Sequence, residues 1–158
     1  MHRPAHLPAV PLEGLDPLSM RVYEAFTRVL AAHRQLMFRV LAEENAHPGQ
    51  ALCLRMLAER DGISQRELGR GLHLSAPTVT AMLQRMEKAG TIERRPDAID
   101  HRVTRVHLTA DGRARECDLR AILGGAIGRV LDPIPEADRR ELERLLGVMA
   151  DRALGALG

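Results

Sequence analysis

Two short helical patterns lie next to each other in the middle of the chain, and they restrict its fold more than any other feature. The first starts at Ser64, which forms an S-x-x-E capping box with Glu67. The second takes Ser75 as its N-cap and stops at Gly90. About three residues, 72–74, connect the two helices, and so short a connection is typical of a helix-turn-helix.

The second helix of this pair has one apolar face and one bare face. Four apolar side chains recur at helical spacing and are predicted to point inward: Val79, Met82, Leu83 and Met86. The opposite face and its flanks carry small, hydroxyl, amide and basic side chains: Pro77, Thr78, Thr80, Ala81, Gln84, Arg85 and Lys88. Small residues let the helix axis approach closely, threonine and glutamine hydrogen-bond to base edges, and basic side chains pair with phosphate. We therefore predict that this face enters the major groove of DNA.

A charged hairpin follows the helix pair. Residues 91–95 are predicted to form a strand, residues 96–100 a turn-rich tip, and residues 101–109 the returning strand. Such a hairpin also occurs as an ordinary surface feature, but its place directly behind the helix pair predicts a winged helix-turn-helix. Between residues 60 and 105, nine basic side chains stand against six acidic ones, an excess larger than the +2 of the whole chain.

Longer helical patterns lie on both sides of this module. Residues 18–45 carry an apolar stripe that includes His33, and residues 110–131 and 135–154 form two further helices. The sequence GGAIG at residues 124–128 indicates either a weakened or kinked helix or a close approach between helices. Because one small domain cannot cover all of this apolar surface, the pattern indicates a partner chain.

The composition fits a mainly α fold with a small β-wing. Of 158 residues, 45% are hydrophobic but only 2% aromatic, so the core is expected to be aliphatic. Residues 1–17 are interrupted by prolines and are predicted to form a flexible arm. The other predicted regions are a helical dimerisation region at residues 18–46 and 110–154, and a winged helix-turn-helix domain at residues 47–109 whose first helix covers residues 50–60. With no signal peptide or membrane-spanning run, we expect a soluble cytoplasmic protein without membrane contact.

The stretch LSAPTVTAMLQRMEKAGTIERRPDAIDHRVTRVHLTADG resembles the recognition helix and wing of the MarR family of bacterial transcription regulators almost position by position. Asp100 and Arg102, followed by VHLTADG, match the most specific signature of that family, and the resemblance extends over roughly residues 18–154. It implies a winged helix-turn-helix with long N- and C-terminal dimerisation helices. It also implies an obligate homodimer that binds a pseudo-palindromic double-stranded DNA operator, usually as a repressor.

The resemblance also assigns DNA contacts to individual residues. It implies that Arg102 enters the minor groove and that Asp100 holds the Arg102 guanidinium in place. The residues that match the base-reading stretch are Ser75, Pro77, Thr78, Thr80, Ala81 and Gln84, and Arg85 matches a position that contacts the DNA backbone. Ser64 and Gln65, at the start of a helix, are candidates for phosphate contacts.

Members of the family commonly bind a small, often aromatic or anionic effector between the dimer helices and the winged helix. Binding changes the spacing of the two recognition helices. Here His33, Met37 and Met56 are candidates for lining such a cleft, although a lone histidine on an apolar stripe is more often a hydrogen-bonded core or interface residue. The sequence does not identify the effector.

Zinc and oxidation are alternative signals. The candidate zinc ligands are His33, Glu44, His47 and Cys117, but solvated histidines near a helix break explain the same pattern. The two cysteines, Cys53 and Cys117, give no disulfide framework, and both are expected to be buried small apolar residues and not redox sensors. No cofactor is otherwise required.

Enzymatic motifs are absent from the sequence. It contains no G-x-G-x-x-G, G-x-S-x-G, H-E-x-x-H or P-loop pattern, so we expect no enzyme. A winged helix can also serve as a protein-docking module, but such a module needs neither the bare helix face nor an arginine at the wing tip. DNA binding is therefore the preferred function.

Overall fold

A computed structural model of the protein describes residues 14–157. Most of the predicted arm at residues 1–17 lies outside these described residues, and Pro17 already belongs to the first helix. The chain divides into two compact units, of which the first ends at Pro48 and the second begins at Gly49. The second unit contains the winged helix-turn-helix together with the two helices that follow the wing.

The described residues form six helices and three strands, in the predicted succession of helices, wing and terminal helices. In chain order these are α1 (Pro17–Glu43), α2 (Pro48–Glu59), β1 (Ile63–Ser64), α3 (Gln65–Gly71), α4 (Ala76–Lys88), β2 (Ile92–Pro96), β3 (Thr104–Leu108), α5 (Ala110–Leu131) and α6 (Glu136–Gly155). The mainly α fold with a small wing is thereby confirmed.

Helix α1 begins at an aspartate cap. The Asp16 carboxylate accepts hydrogen bonds from two backbone N–H groups of the first turn, at 2.9 and 3.1 Å. The N–H groups of a first turn have no partner within the helix, so this cap satisfies two of them. The predicted break at residues 47–50 is displaced, because α1 ends at Glu43 and α2 already starts at Pro48. Proline suits a first helical position, since its missing N–H would have no helical partner there.

Helices α3 and α4 begin and end close to the predicted residues. The N–H of Glu67 donates to the Ser64 hydroxyl at 3.2 Å, and the N–H of Ser64 donates to the Glu67 carboxylate at 3.0 Å, so the capping box is confirmed. After α4, Gly90 has a φ of 75°, and the N–H of Thr91 donates to the carbonyl of Met86 at 3.0 Å. Glycine adopts this left-handed conformation without a steric cost, and the turn aims the chain into the wing.

A third strand completes the wing. Strand β1 pairs antiparallel with β3, which also pairs antiparallel with β2, so the order in the sheet is β1-β3-β2. The sequence predicted only the hairpin, because a two-residue strand leaves no alternating pattern. The returning strand also starts at Thr104 and not at residue 101. Residues 97–103 therefore form the connection between β2 and β3, which we call the wing tip.

The core of the second unit is aliphatic, as predicted. Its most deeply buried large side chains come from α2, α3, α4 and the sheet: Cys53, Leu57, Leu68, Val79, Leu83, Ile92 and Val106. Gly112, in the first turn of α5, lies directly against the chain that enters the wing, because a β-carbon there would lie 1.9 Å from the carbonyl oxygen of Thr91. Only glycine permits so close an approach.

Helices α5 and α6 leave much apolar surface exposed. Helix α5 continues through the GGAIG segment, and a β-carbon placed at Gly124 would meet no neighbouring atom within 4 Å. Helix α6 has no buried residue, and its exposed apolar side chains include Leu142, Leu145, Leu146, Val148 and Met149. No helix within residues 14–157 has both the length and the apolar character needed to cross a bilayer.

Candidate nucleic-acid interface

Helix α4 turns its bare face to solvent. The predicted inward stripe is buried, with Val79, Met82, Leu83 and Met86 each at most 4% exposed. On the opposite face Thr80 is half-buried, and the remaining predicted residues are exposed: Pro77, Thr78, Ala81, Gln84, Arg85 and Lys88. A duplex can therefore reach this face without any movement of the core.

Thr80 already has hydrogen-bond partners. Its hydroxyl donates to the carbonyl oxygen of Ala76 at 2.9 Å and accepts from the side-chain amide of Gln65 at 2.8 Å. Since Gln65 is the first residue of α3, this hydrogen bond joins the two helices of the helix-turn-helix. Both residues are predicted DNA contacts, so a base or phosphate has to compete with this pair or bind beside it.

The two serine caps differ in their surroundings. Ser64 is buried and its hydroxyl is hydrogen-bonded to Glu67, so it caps α3, and its predicted phosphate contact stays a prediction. Ser75 is exposed, and its side chain does not cap the backbone of α4. Its hydroxyl instead shares a hydrogen bond of 2.8 Å with the hydroxyl of Thr78. Two hydroxyl groups therefore lie exposed at the start of α4.

Asp97 organises the wing tip. Its carboxylate accepts the backbone N–H groups of Ile99 and Asp100, both at 2.9 Å, and the Nε–H of Arg105 at 2.6 Å. Arg105 also donates to the carbonyl of Gly62 at 3.1 Å, in the turn before β1. These donors, the Asp100 N–H first, lower the pKa of Asp97 from its usual 3.8 to about 2. This role of Asp97 was not predicted from the sequence, although an aspartate at the start of a turn is a common Asx-turn signal.

Asp100 does not hold the Arg102 guanidinium, which corrects the expectation from the sequence. Its carboxylate accepts the backbone N–H of Arg102 at 3.0 Å instead, as a short side chain readily does two residues along a turn. Arg102 is exposed, and none of the ion pairs within residues 14–157 includes its guanidinium. Arg102 is therefore placed by the backbone of the wing tip and is free to bind an external anion.

Ion pairs divide the basic residues of the winged helix-turn-helix into two groups. Four arginines form ion pairs with carboxylates, and the pairs are Arg60–Glu67, Arg94–Glu87, Arg95–Glu93 and Arg105–Asp97. Five basic residues form no ion pair with any described residue, namely Arg66, Arg70, Arg85, Lys88 and Arg102. Among the acidic residues of the same segment, Asp61 is paired with His107. Asp100 is the one acidic side chain there that forms no ion pair with any described residue. The unpaired charge is therefore strongly positive, and it lies on α3, α4 and the wing tip.

A groove of about 830 Å³ joins these three elements. It lies between the start of α3, the start of α4 and the wing, and Arg66, Arg70 and Arg102 all contribute to its lining. Three unpaired guanidinium groups around one groove suit an anionic chain such as the phosphate backbone of DNA. Arg66 and Arg70 were not predicted as contacts, although their spacing of four residues places them on one side of α3.

The predicted effector cleft and zinc site remain predictions. In the first unit His33 is exposed and Met37 is half-buried, and in the second unit Met56 is half-buried on α2. Nowhere in the described part of the chain do three His, Cys, Asp or Glu side chains come together as a metal site would require. The zinc alternative at His33, Glu44, His47 and Cys117 therefore gains no support from the geometry.

Only one of the two cysteines is buried, so the expectation for Cys117 is wrong. Cys53 is fully buried, and burial raises the pKa of its thiol to about 12, which keeps it protonated and unreactive near neutral pH. Cys117 is exposed on α5, and its sulfur accepts a hydrogen bond from the Arg120 guanidinium at 3.3 Å. Of the two thiols, Cys117 is the one that an oxidant can reach.

Known transcription regulators resemble this chain over much of its length. The sequence profile of the MarR family matches residues 47–113. The HTH-type transcriptional regulator TtmR of Methylorubrum extorquens is 32% identical over 141 residues, which cover 86% of this chain and 70% of TtmR. The HTH-type transcriptional repressor Rv2887 of Mycobacterium tuberculosis is 33% identical over 95 residues, which cover 60% of this chain and 68% of that repressor.

Solved structures share the same fold. A MarR family protein from Bacillus stearothermophilus superposes with a TM-score of 0.76 at 22% identity, over 89% of this chain and 99% of that one. The Mycobacterium tuberculosis protein Rv2887 in complex with salicylic acid gives a TM-score of 0.64 at 29% identity, over 87% and 99% of the two chains. With the helix-turn-helix, the wing and the basic groove, these similarities show that the chain belongs to the MarR family, as a DNA-binding transcription regulator and not an enzyme.

Proposed function

We propose that the protein is a homodimeric, cytoplasmic repressor that binds a pseudo-palindromic operator and releases it when a small molecule binds. The observation that carries this proposal is the groove between α3, α4 and the wing, which is lined by arginines that no described carboxylate neutralises. A duplex supplies phosphates along such a groove and base edges beside it. Free carboxylates in the same segment are too few to compete for these arginines.

The exposed residues of α4 suit the major groove. The Gln84 side chain can donate to and accept from a base edge, and the small Ala81 side chain can contact a thymine methyl group. The hydroxyls of Ser75 and Thr78 can bond to bases or phosphates at the start of the helix. Arg102 enters the adjacent minor groove, where a narrow, A·T-rich segment attracts an arginine most strongly.

A second copy of the chain explains the exposed apolar surface. Helix α1 exposes Leu18, Val22 and Val29 on one side, at 61%, 49% and 64% accessibility, and α6 exposes a comparable stripe around Leu145. Contiguous apolar surface of this kind marks a protein interface more often than a solvated face. A twofold dimer presents two α4 helices to half-sites about 34–36 Å apart, one turn of DNA.

A small aromatic anion is the effector class that we propose. The related Rv2887 has been crystallised with salicylic acid, and that repressor is 33% identical to this chain over 95 residues. The candidate positions remain His33, Met37 and Met56. Binding would shift the two α4 helices out of register with successive grooves, since a small rigid-body movement is enough to break the match.

A mobility shift with the DNA upstream of the protein's own gene tests the proposal. The wild-type protein should retard this duplex, and Arg102→Ala should weaken binding by about tenfold or more. Arg55→Ala is the matched control, because Arg55 is paired with Glu59 on α2 and does not line the groove. Sedimentation of Arg102→Ala should still give a dimer.

Two results would contradict the proposal. If Arg102→Ala bound as tightly as the wild type at physiological salt, the wing would have no part in DNA binding. If the wild type retarded no duplex, including those selected from a random pool, the basic groove would need a different anionic partner. Addition of salicylate to the wild-type complex tests the effector class, and release of the duplex is the expected result.

Zinc, oxidation and protein docking stay as alternatives within the same fold. Operator binding with and without a chelator tests zinc, together with metal analysis of the purified protein. Cys117→Ser tests oxidation, because Cys117 is the exposed thiol. A docking module would bind a protein partner and ignore duplex DNA.

A further inference from the structure

Ile99 is an apolar side chain in an unusual place. It lies in the wing tip and is 96% exposed, so it contributes nothing to the core. Within residues 63–108 no other large apolar side chain is exposed. Single exposed apolar residues are common on protein surfaces, so exposure alone decides nothing. The surroundings of Ile99 distinguish it.

The backbone that carries Ile99 is firmly held. The N–H of Ile99 donates to the Asp97 carboxylate at 2.9 Å, and the same carboxylate binds Arg105 at 2.6 Å. The ends of the wing tip are also joined, since the N–H of Asp97 donates to the carbonyl of Val103 at 2.8 Å. A prearranged backbone loses little conformational entropy when the side chain that it carries binds a partner.

The same wing tip presents Arg102 to the basic groove. Ile99 directly precedes a turn that is closed by the hydrogen bond from the Val103 N–H to the Asp100 carbonyl at 2.8 Å, and Arg102 lies within that turn. When Arg102 reaches the floor of a minor groove, the rest of the wing tip meets the groove walls, which are about 6 Å apart and made of deoxyribose C–H groups. An isoleucine offers these apolar walls a surface that a charged or polar residue does not.

We infer that Ile99 is a DNA-binding residue that packs against the deoxyribose walls of the minor groove beside Arg102. Proteins that bind the minor groove use apolar side chains in this way, to exclude water and in some cases to widen or kink the duplex. Arg102 supplies the electrostatic attraction, and Ile99 supplies an apolar contact that is independent of salt. This inference rests on the proposed function, because it requires the groove to bind duplex DNA.

The test begins with duplexes of about 30 base pairs that the wild-type protein selects from a random pool, a length that covers two half-sites one helical turn apart. Their affinity is measured by fluorescence anisotropy over a range of salt concentrations, for the wild type, Ile99→Ala and Ile99→Val. Leu157→Ala is the matched control, because Leu157 is also apolar and 84% exposed but lies beyond α6. Thermal unfolding checks that each variant remains folded.

Ile99→Ala should weaken binding about tenfold at every salt concentration, while the slope of log Kd against log salt stays that of the wild type, because no charge is lost. Ile99→Val should keep most of the affinity, and Leu157→Ala should keep all of it. Arg66→Ala provides the contrast, since the dimer loses one phosphate contact in each chain and the slope should become shallower by about 1.8.

Three results would overturn the inference. Ile99→Ala could bind as tightly as the wild type, it could change the salt slope as Arg66→Ala does, or Leu157→Ala could lose as much affinity. In each case the wild type still binds DNA and the proposed function stands. If the wild type selects no duplex at all, the proposed function fails and this inference fails with it.

Discussion

Asp97 and Asp100 lie three residues apart in the wing tip, and their carboxylates have different partners. Asp97 accepts two backbone N–H groups and the Arg105 guanidinium, whereas Asp100 accepts the backbone N–H of Arg102. Hydrogen bonds to an ionised carboxylate are stronger than hydrogen bonds between two neutral groups. The conformation of the wing tip therefore depends chiefly on the negative charge of Asp97.

Asp97→Asn should lower stability and weaken DNA binding, because the amide cannot pair with the charge of Arg105. The pKa of Asp97 is lowered to about 2 in the folded protein, so its ionised form stabilises the fold fully above about pH 4, and this contribution declines as the pH falls towards 2. Urea unfolding at several pH values should show a gap between wild type and variant that is constant near neutral pH and closes in acid. Asp100→Asn is the control and should cost less. A gap that does not change with pH would contradict this account.

Gly112→Ala should destabilise the protein strongly, because its β-carbon would lie 1.9 Å from the Thr91 carbonyl oxygen. Helix α5 would have to move away from the wing, and overpacking of this kind costs about 1–3 kcal/mol or more. Asp111→Ala, at an exposed position of the same turn, should cost less than about 1 kcal/mol. Chemical denaturation measures both variants. Equal stability of Gly112→Ala and wild type would mean that α5 does not approach Thr91 so closely.

Among the elements, those with strong local signals could be predicted from the sequence. The capping box at Ser64, the apolar stripe of α4 and the glycine stop at Gly90 depend on neighbouring residues, and all three are confirmed. Strand β1 could not be predicted, because it has two residues and is defined by its pairing with the distant β3. The exposure of Cys117 was also missed, since composition does not report which face of a helix is covered.

The candidate interface could be predicted only in part, because some of its features depend on contacts between residues that are distant in the sequence. The sequence gives the exposed face of α4 directly, because helical periodicity separates Val79 and Met82 from Ala81 and Gln84. Which arginines are free depends on tertiary ion pairs, such as the one between Arg94 and Glu87 at 2.6 Å. These pairs join residues of different elements and leave no local pattern in the sequence.

The hydrogen bond between Gln65 and Thr80 should couple α3 to α4. A double-mutant cycle of Gln65→Ala and Thr80→Val should give a coupling free energy of about 0.5–1.5 kcal/mol, the usual range for a hydrogen bond between neutral groups. Urea unfolding of the four proteins measures it. The cycle of Thr80→Val with Gln84→Ala is the control, because no hydrogen bond between Thr80 and Gln84 is seen within residues 14–157. Purely additive effects of the first pair would show that the two helices are not linked in this way.

At the scale of the whole molecule, the exposed apolar side chains of α6 should hold two chains together. Leu145→Glu places a charge in the middle of that stripe and should shift the protein from dimer to monomer in sedimentation experiments, with loss of operator binding. Asp151→Lys is the matched control, because residue 151 points to the opposite side of the helix from Leu142. A Leu145→Glu protein that remains a dimer would place the interface elsewhere.

The salt dependence of binding to a selected operator duplex tests the central claim most directly, because the claim is that unpaired basic side chains of α3, α4 and the wing tip bind the DNA backbone. Two chains should bind each duplex, and affinity should fall about a thousandfold or more between 50 and 200 mM salt, as expected for six to ten phosphate contacts. Binding that is insensitive to salt, or one chain per duplex, would contradict the account.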